Sequence, residues 1–235
     1  MQRFGAYALT NLNLKQLDIE KARFCVAQGL QLSLKPPDLM YEGIFHEQQA
    51  YIHSFDGELN LMLESGEQVL HCYERLGFVS FQAEQYEWLA HRLIELGQYK
   101  AALEHIEQGE RLAQQDQLEE QIAWFLLARA RYFLSIGQAH DAFAFLEPML
   151  LNPEKSISSR AYPTCVVLGQ TCLEQGLLKQ AAAFLTNTES YPPNEVVRLT
   201  MLLRVKMAQG EKSRFGRQAV QSEPLILENF RRNKA

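Results

Sequence analysis

A glycine returns along this chain at a nearly fixed interval. Gly57, Gly97, Gly137, Gly176 and Gly210 are separated by 40, 40, 39 and 34 residues. The segments between them carry apolar residues at helical spacing, most clearly from Tyr86 to Ala113. Tyr86, Leu89, Ala90, Leu93 and Leu96 share one helix face, Gly97 interrupts, and Tyr99, Ala102, Leu103, Ile106 and Ala113 form a second stripe. Glycine between two amphipathic helices supplies the backbone freedom of a tight turn, so this stretch reads as a helical hairpin. Leu17 stands one further 40-residue step upstream of Gly57. Five residues beyond each turn come Ala22, Met62, Ala102, Ala142, Ala181 and Phe215. Small side chains there let two helix axes approach to about 8–10 Å; Met62 and Phe215 depart from that rule.

A helical pair cannot bury its apolar faces alone, so a repeat of this length implies pairs stacked on one another. Leu89, Ala90, Leu93, Gly97, Tyr99, Ala102 and Ile106 resemble the tetratricopeptide repeat (TPR) pattern. The units exceed the standard repeat of about 34 residues. With Tyr73-Glu74-Arg75-Leu76-Gly77 ahead of Tyr86 and Leu89, that length looks like the helical sensor arms of maltose-activator-type signal-transducing ATPase regulators. The expected fold is all-α: a right-handed α-solenoid of about six TPR-like hairpins plus a C-terminal helix. It forms one repeat domain over 1–235, with units near 1–36, 38–77, 80–115, 116–153, 158–190 and 194–222 and a terminal helix at 225–232.

Pro36-Pro37-Asp38 and Pro192-Pro193-Asn194 mark boundaries, since proline ends a helix and Asp or Asn caps the next. Ser80 is expected to cap the helix from Phe81, and Asp116 with Glu119 to form a capping box. Pro148 is expected to end or kink its helix. Phe4, Tyr7 and Leu9 would lie uncovered at the end of the stack. This predicts either a fragment of a larger protein or self-association through the N-terminal end.

Apolar residues make up 47% of the chain, enough for a packed interior, whereas a net charge of −5 and a pI near 5.7 argue against a general nucleic-acid footprint. Cys25, Cys72, Cys165 and Cys172 form no Cys-x-x-Cys pair and read as small buried apolar residues. With no signal-peptide pattern at Met1-Gln2-Arg3-Phe4-Gly5, they point to a reducing cytoplasm. The most apolar run, Ile122 to Ile136, contains Arg129 and Arg131 and is too short to span a bilayer.

Catalytic machinery is not legible. His46-Glu47-Gln48-Gln49-Ala50 approaches the helical zinc-protease motif, but Ala50 replaces the second histidine. His53 lies about two turns from His46, too far for one tetrahedral ion. Adjacent His71 and Cys72 point about 100° apart on a helix, and no Gly-rich phosphate loop occurs. We therefore expect a non-enzyme without metal or cofactor. Trp88 and Trp124 read as packing between helices.

One constellation remains. In the TPR family the first helix of each pair lines the concave groove. Six residues before each turn stand Asn11, Tyr51, His91, Arg131, Gln170 and Arg204, all able to hydrogen-bond. One turn earlier come Tyr7, Glu47, Glu87, Leu127, Val166 and Thr200. The expected ligand-binding residues are Tyr51, Glu87, His91, Arg131, Gln170 and Arg204, and the expected partner is a protein or peptide. The paired Lys and Asn of the family's carboxylate clamp for chaperone tails are missing; Asn11 alone fits. An RNA-binding groove is the alternative, because Tyr51, His91, Arg131 and Arg204 could stack on or pair with bases.

Overall fold

The structure, a computed structural model, describes residues 2–151, 161–186 and 195–209. It is all-α: no β-strand occurs among the described residues. The helices are α1 (Gln2–Lys15), α2 (Ile19–Leu34), α3 (Leu39–Asp56), α4 (Leu59–Leu76), α5 (Val79–Glu95), α6 (Tyr99–Gln115) and α7 (Glu119–Ser135), followed by α8 (Ala139–Leu151), α9 (Ala161–Glu174), α10 (Leu178–Thr186) and α11 (Glu195–Ala208). The expected turn at Gly210 and the elements at 211–221 and 225–232 lie outside the described residues.

The glycine interval covers two helices, and in the first unit the backbone marks most single-helix steps as well. From Leu17 to Gly137, left-handed φ occurs at Leu17, Gly57, Gly77, Gly97, Gln117 and Gly137, in steps of 20 residues except where the Pro36-Pro37 corner takes the place of a turn, and it occurs again at Gly176 in the second unit. At Gly57 the chain closes the helix end with hydrogen bonds from the N–H of Gly57 to the Ser54 carbonyl and from the N–H of Glu58 to the His53 carbonyl, so the last orphan carbonyls are satisfied. The residue after each of these left-handed positions in the first unit then opens the next helix: Asp18, Glu58, Phe78, Gln98 and Leu118 occupy the N-cap, and of these Asp18 alone makes a side-chain cap bond, accepting from the N–H of Lys21 at 3.2 Å.

That geometry overrides the local capping signals. Ser80 lies inside α5, where its hydroxyl accepts from Gln121 Nε2 at 2.9 Å. Asp116 ends α6 and Leu118 opens α7, so the Asp116–Glu119 capping box does not form. α8 continues through Pro148 to Leu151. At the proline corner the sequence signal holds: Asp38 accepts from the N–H of Tyr41 at 3.3 Å. Arg3 fastens α1 to this corner by donating to Asp38 Oδ2 and the Leu32 carbonyl, both at 2.9 Å, and to the Pro36 carbonyl.

The chain packs as two compact units, 1–136 and 137–235. In the first, Ala6, Ala22, Val26, Phe45 and Ile52 form one core layer. Leu70, Ala83, Leu89, Ala90, Leu93, Ala102, Ile106, Ala113 and Phe125 form another. Ala22, Ala102, Ala142 and Ala181, five residues past their turns, are all fully buried, and Met62 is buried at the equivalent position. The thioether chain fills the space an alanine leaves elsewhere. In the second unit Cys172, Ala181, Leu185, Leu202 and Val205 form the core. Tyr7 departs from expectation: it packs against the first core layer, while Phe4 and Leu9 are exposed.

Candidate functional site

Within the first unit α1 packs directly on α3 and α5 on α7. Glu47 of α3 also lies close enough to Glu84 of α5 to feel its charge. In the first unit α1, α3, α5 and α7 therefore lie on a common side. Residues 91 and 131 hold the same register on neighbouring members of that face, and the structure brings them together: Arg131 Nη1 lies 3.2 Å from His91 Nε2. The same His91 nitrogen is 2.9 Å from Glu95 Oε1, one turn along α5. Glu95 forks, its other oxygen accepting from Arg92 Nη1 at 2.6 Å, and the Arg92 guanidinium lies 5.7 Å from the centre of the Trp88 ring. Burial pushes the Arg131 pKa down, opposed by the charge of Glu87. The guanidinium stays charged near neutrality, because an arginine titrates far above it.

The remaining residues of the ladder have other neighbours. Tyr51 is exposed and meets Phe55 edge-to-face at 5.0 Å. In the second unit Gln170 is half-buried and Arg204 pairs with Glu174 at 2.9 Å. Asn11 accepts from Gln48 Nε2 at 2.9 Å.

An acidic pair on the odd face falls outside the ladder read from the sequence. Glu47 on α3 titrates above the usual carboxyl range because surrounding protein strips its hydration and Glu84 on α5 repels it. Glu84 lies one helix turn before Glu87, so extending the ladder one row further would reach it. The face thus runs from an acidic end at Glu47 and Glu84 to a basic group at Arg131.

A cleft of about 360 Å³ between α4 and α6 is lined by Glu67, His71, Glu74, Glu104, His105 and Tyr86, among others. His105 Nδ1 faces the Ala101 carbonyl at 3.0 Å and Nε2 faces Glu67 Oε1 at 3.1 Å. Both ring nitrogens meet acceptors, an arrangement that the imidazolium satisfies. Burial lowers the His105 pKa, but the Glu67 and Ala101 acceptors with the charges of Glu67 and Glu104 outweigh it and raise it overall.

The other candidates for chemistry are accounted for by their neighbours. His46 Nδ1 pairs with Gln49 at 3.2 Å, and buried His53 meets Glu58 Oε2 at 2.7 Å. His53, Asp56 and Glu58 offer ligand atoms within 4.8 Å of one another. Asp56 is already paired with Arg23 at 2.5 Å, so a guanidinium supplies positive charge at this cluster. Burial pushes the Cys72 thiol up to about 11, which leaves no thiolate beside His71 near neutral pH. Trp124 is buried, and Trp88 packs on the core. Among the described residues, no helix is long and apolar enough to cross a membrane.

No protein-family model matches the chain. No curated protein matches it either. Solved structures do. The nearly identical TPR-like repeats of a putative kinesin light chain from Podosopora anserina are similar at a TM-score of 0.60 and 16% identity, over 91% of this chain and 99% of that one. A single-substitution form of that protein matches at 0.60 and 17%, over 89% and 96%. NprR in complex with its cognate peptide NprX is similar at a TM-score of 0.63 and 12% identity, over 90% of this chain and 62% of that one. The fold is that of the TPR-like helical-repeat proteins.

Proposed function

We propose that this protein is a non-catalytic helical-repeat scaffold that binds a peptide segment along its odd-helix face. The observation that carries this reading is the meeting of Arg131 and His91, two hydrogen-bonding side chains from successive odd helices, at a partly exposed point of that face. A pre-formed groove loses little conformational entropy on binding. Arginine's planar fork suits a carboxylate, so the peptide presents an anionic group there. At the other end a basic side chain would relieve the repulsion between Glu47 and Glu84. NprR, a structural neighbour, is solved with a bound peptide, which supports the class of ligand. In this reading the chain works in the cytoplasm, as a free scaffold or as the sensor arm of a larger regulator; Tyr51 and Glu87 extend the contact surface of the first unit, and Gln170 and Arg204 are binding residues of the second unit in their own right.

The test is a peptide-array screen with wild type and Arg131→Ala, each hit compared as free acid and as C-terminal amide. Loss of a charge-assisted hydrogen bond costs about 1.5–3 kcal/mol, so Arg131→Ala should weaken binding by roughly ten- to a hundredfold. Equal binding by both proteins would reject the site. Tight, steeply salt-dependent binding of single-stranded RNA would favour the RNA reading instead. We also propose self-association through exposed Phe4 and Leu9. Sedimentation should show a concentration-dependent species that is lost in Phe4→Glu, and a strictly monomeric wild type would remove this proposal.

A further inference from the structure

His91 Nε2 touches two groups that demand opposite things of it. Arg131 Nη1, 3.2 Å away, is always a donor and needs a lone pair on the histidine nitrogen. Glu95 Oε1, 2.9 Å away, is a carboxylate acceptor and needs an N–H. One imidazole nitrogen has one in-plane position, so it can satisfy only one of them at a time. With the proton on Nδ1, His91 accepts from Arg131 and ties α5 to α7. With a proton on Nε2, it donates to Glu95 within α5 and turns an N–H toward the guanidinium.

We propose that His91 is a proton-controlled latch on Arg131: protonation of Nε2 releases Arg131 from His91 and hands it to a carboxylate on the bound peptide. This rests on the groove reading above and adds its regulation. In the neutral state His91 fills the acceptor position that the incoming carboxylate needs. In the imidazolium state that position is open, and the positive charge of the ring lies beside it. Carboxylate binding and proton uptake therefore promote each other, as linkage requires of two coupled ligands.

The charged groups around His91 set the balance. On α5 they are Glu87, Arg92 and Glu95, and on α7 Arg131. Glu84 and Glu47 lie further along the odd face. α4 and α6, on the side of α5 marked by Tyr86, carry Glu67, Glu74, Glu104 and His105. Glu87 favours the imidazolium and repels the ligand, so it opposes the ligand without favouring the neutral latch.

Two measurements test this on the intact chain. The first needs no ligand: nitrogen NMR of the His91 ring at pH 8, where an unperturbed imidazole is neutral. The latch requires the Nδ1–H tautomer in wild type and a shift toward Nε2–H in Arg131→Ala. An Nε2–H tautomer in wild type overturns it. The second titrates N-acetylglycine as a carboxylate probe, with N-acetylglycinamide as control. Binding should be at least about fivefold tighter at pH 6 than at pH 8, and this difference should vanish in His91→Gln, whose fold is checked by circular dichroism. Binding of equal strength at both pH values overturns the latch and leaves the groove reading standing. No binding at either pH, with the tautomer as required, rejects the carboxylate reading of the groove and with it the hand-over to a ligand.

Discussion

The ring of Phe125 on α7 lies directly on the backbone of Gly109 on α6, so close that a Cβ built at 109 would overlap the ring edge. Phe45 on α3 sits on Gly29 of α2 in the same way. Each phenylalanine follows its glycine by 16 residues, and the two pairs are 80 residues apart. A large ring fully buried against bare backbone is how one hairpin keys into the next.

Gly109→Ala is therefore expected to destabilise the fold, although alanine is the better helix former by about 1 kcal/mol. Overpacking costs about 1–3 kcal/mol, and the displaced atom belongs to a ring enclosed by core. The comparison is Gly5→Ala, where no atom lies within 4 Å of the added Cβ; that change should be neutral or stabilising. Urea denaturation of both variants decides the matter, and a stable Gly109→Ala would mean that the α6–α7 packing is looser than described.

Gln117 holds a left-handed φ of 55° at a position where the equivalent residues are Gly57, Gly77, Gly97 and Gly137. A side chain in this region costs about 1–2 kcal/mol. Gln117→Gly removes that cost and gives back part of it as unfolded-state entropy. We expect a net gain of about 0.5–1 kcal/mol in the stability of the 1–136 unit. Gln114→Gly, inside α6, should lose stability instead, by about 1 kcal/mol. A Gln117→Gly protein that melts below wild type would contradict the turn assignment.

The contrast between Gly57 and Gln117 explains what the sequence can reveal. Turns marked by glycine announce themselves, and with the apolar stripes they are enough to infer stacked helical pairs. Turns held by Leu17 and Gln117 carry no local signal, because packing on both sides forces the backbone there. The same tertiary control cancels Ser80 and Asp116 as caps: once the left-handed residue is fixed, the next residue opens the helix whatever its side chain. At the candidate site, register alone places His91 beside Arg131, since equal positions on stacked helices face one another. Glu95 and Arg92 enter through rotamers, which no periodicity encodes. Glu84 is legible in principle, one turn beyond the row of Glu47 and Glu87.

Cys72 and Cys172 are buried, and burial pushes each thiol up to about 11. The thiolate is the reactive form. Both should resist alkylation at neutral pH in the folded protein and react fully in urea. Mass spectrometry after a short maleimide pulse will read this residue by residue. Rapid native labelling of Cys72 would show that the α3–α4 hairpin opens locally far more often than its buried core allows.

The raised carboxyl of Glu47 turns the odd face into a source of pH dependence, with a sign that can be checked. A folded-state pKa above the unfolded value means that the folded protein holds the proton more tightly. The favourable contribution is complete below the unfolded carboxyl range, about pH 4.3 for glutamate. It is lost as pH rises through the folded pKa of Glu47. At neutral pH the ionised side chain is thus a net cost, caused by lost hydration and by Glu84. Glu47 retains solvent exposure, so screening holds the effect to within about 1 kcal/mol. Glu47→Gln should raise the melting temperature at pH 7 by a small but measurable amount and leave it unchanged at acid pH, where wild type is already protonated. A basic peptide bound at this end of the groove should do the same by adding positive charge beside Glu47, and its benefit should shrink in Glu47→Gln. Thermal melts of both proteins across the acid-to-neutral range, with and without a lysine-containing peptide, provide the check. A destabilised Glu47→Gln at pH 7 would show that the carboxylate has a favourable partner and would remove the acidic end from the proposed groove.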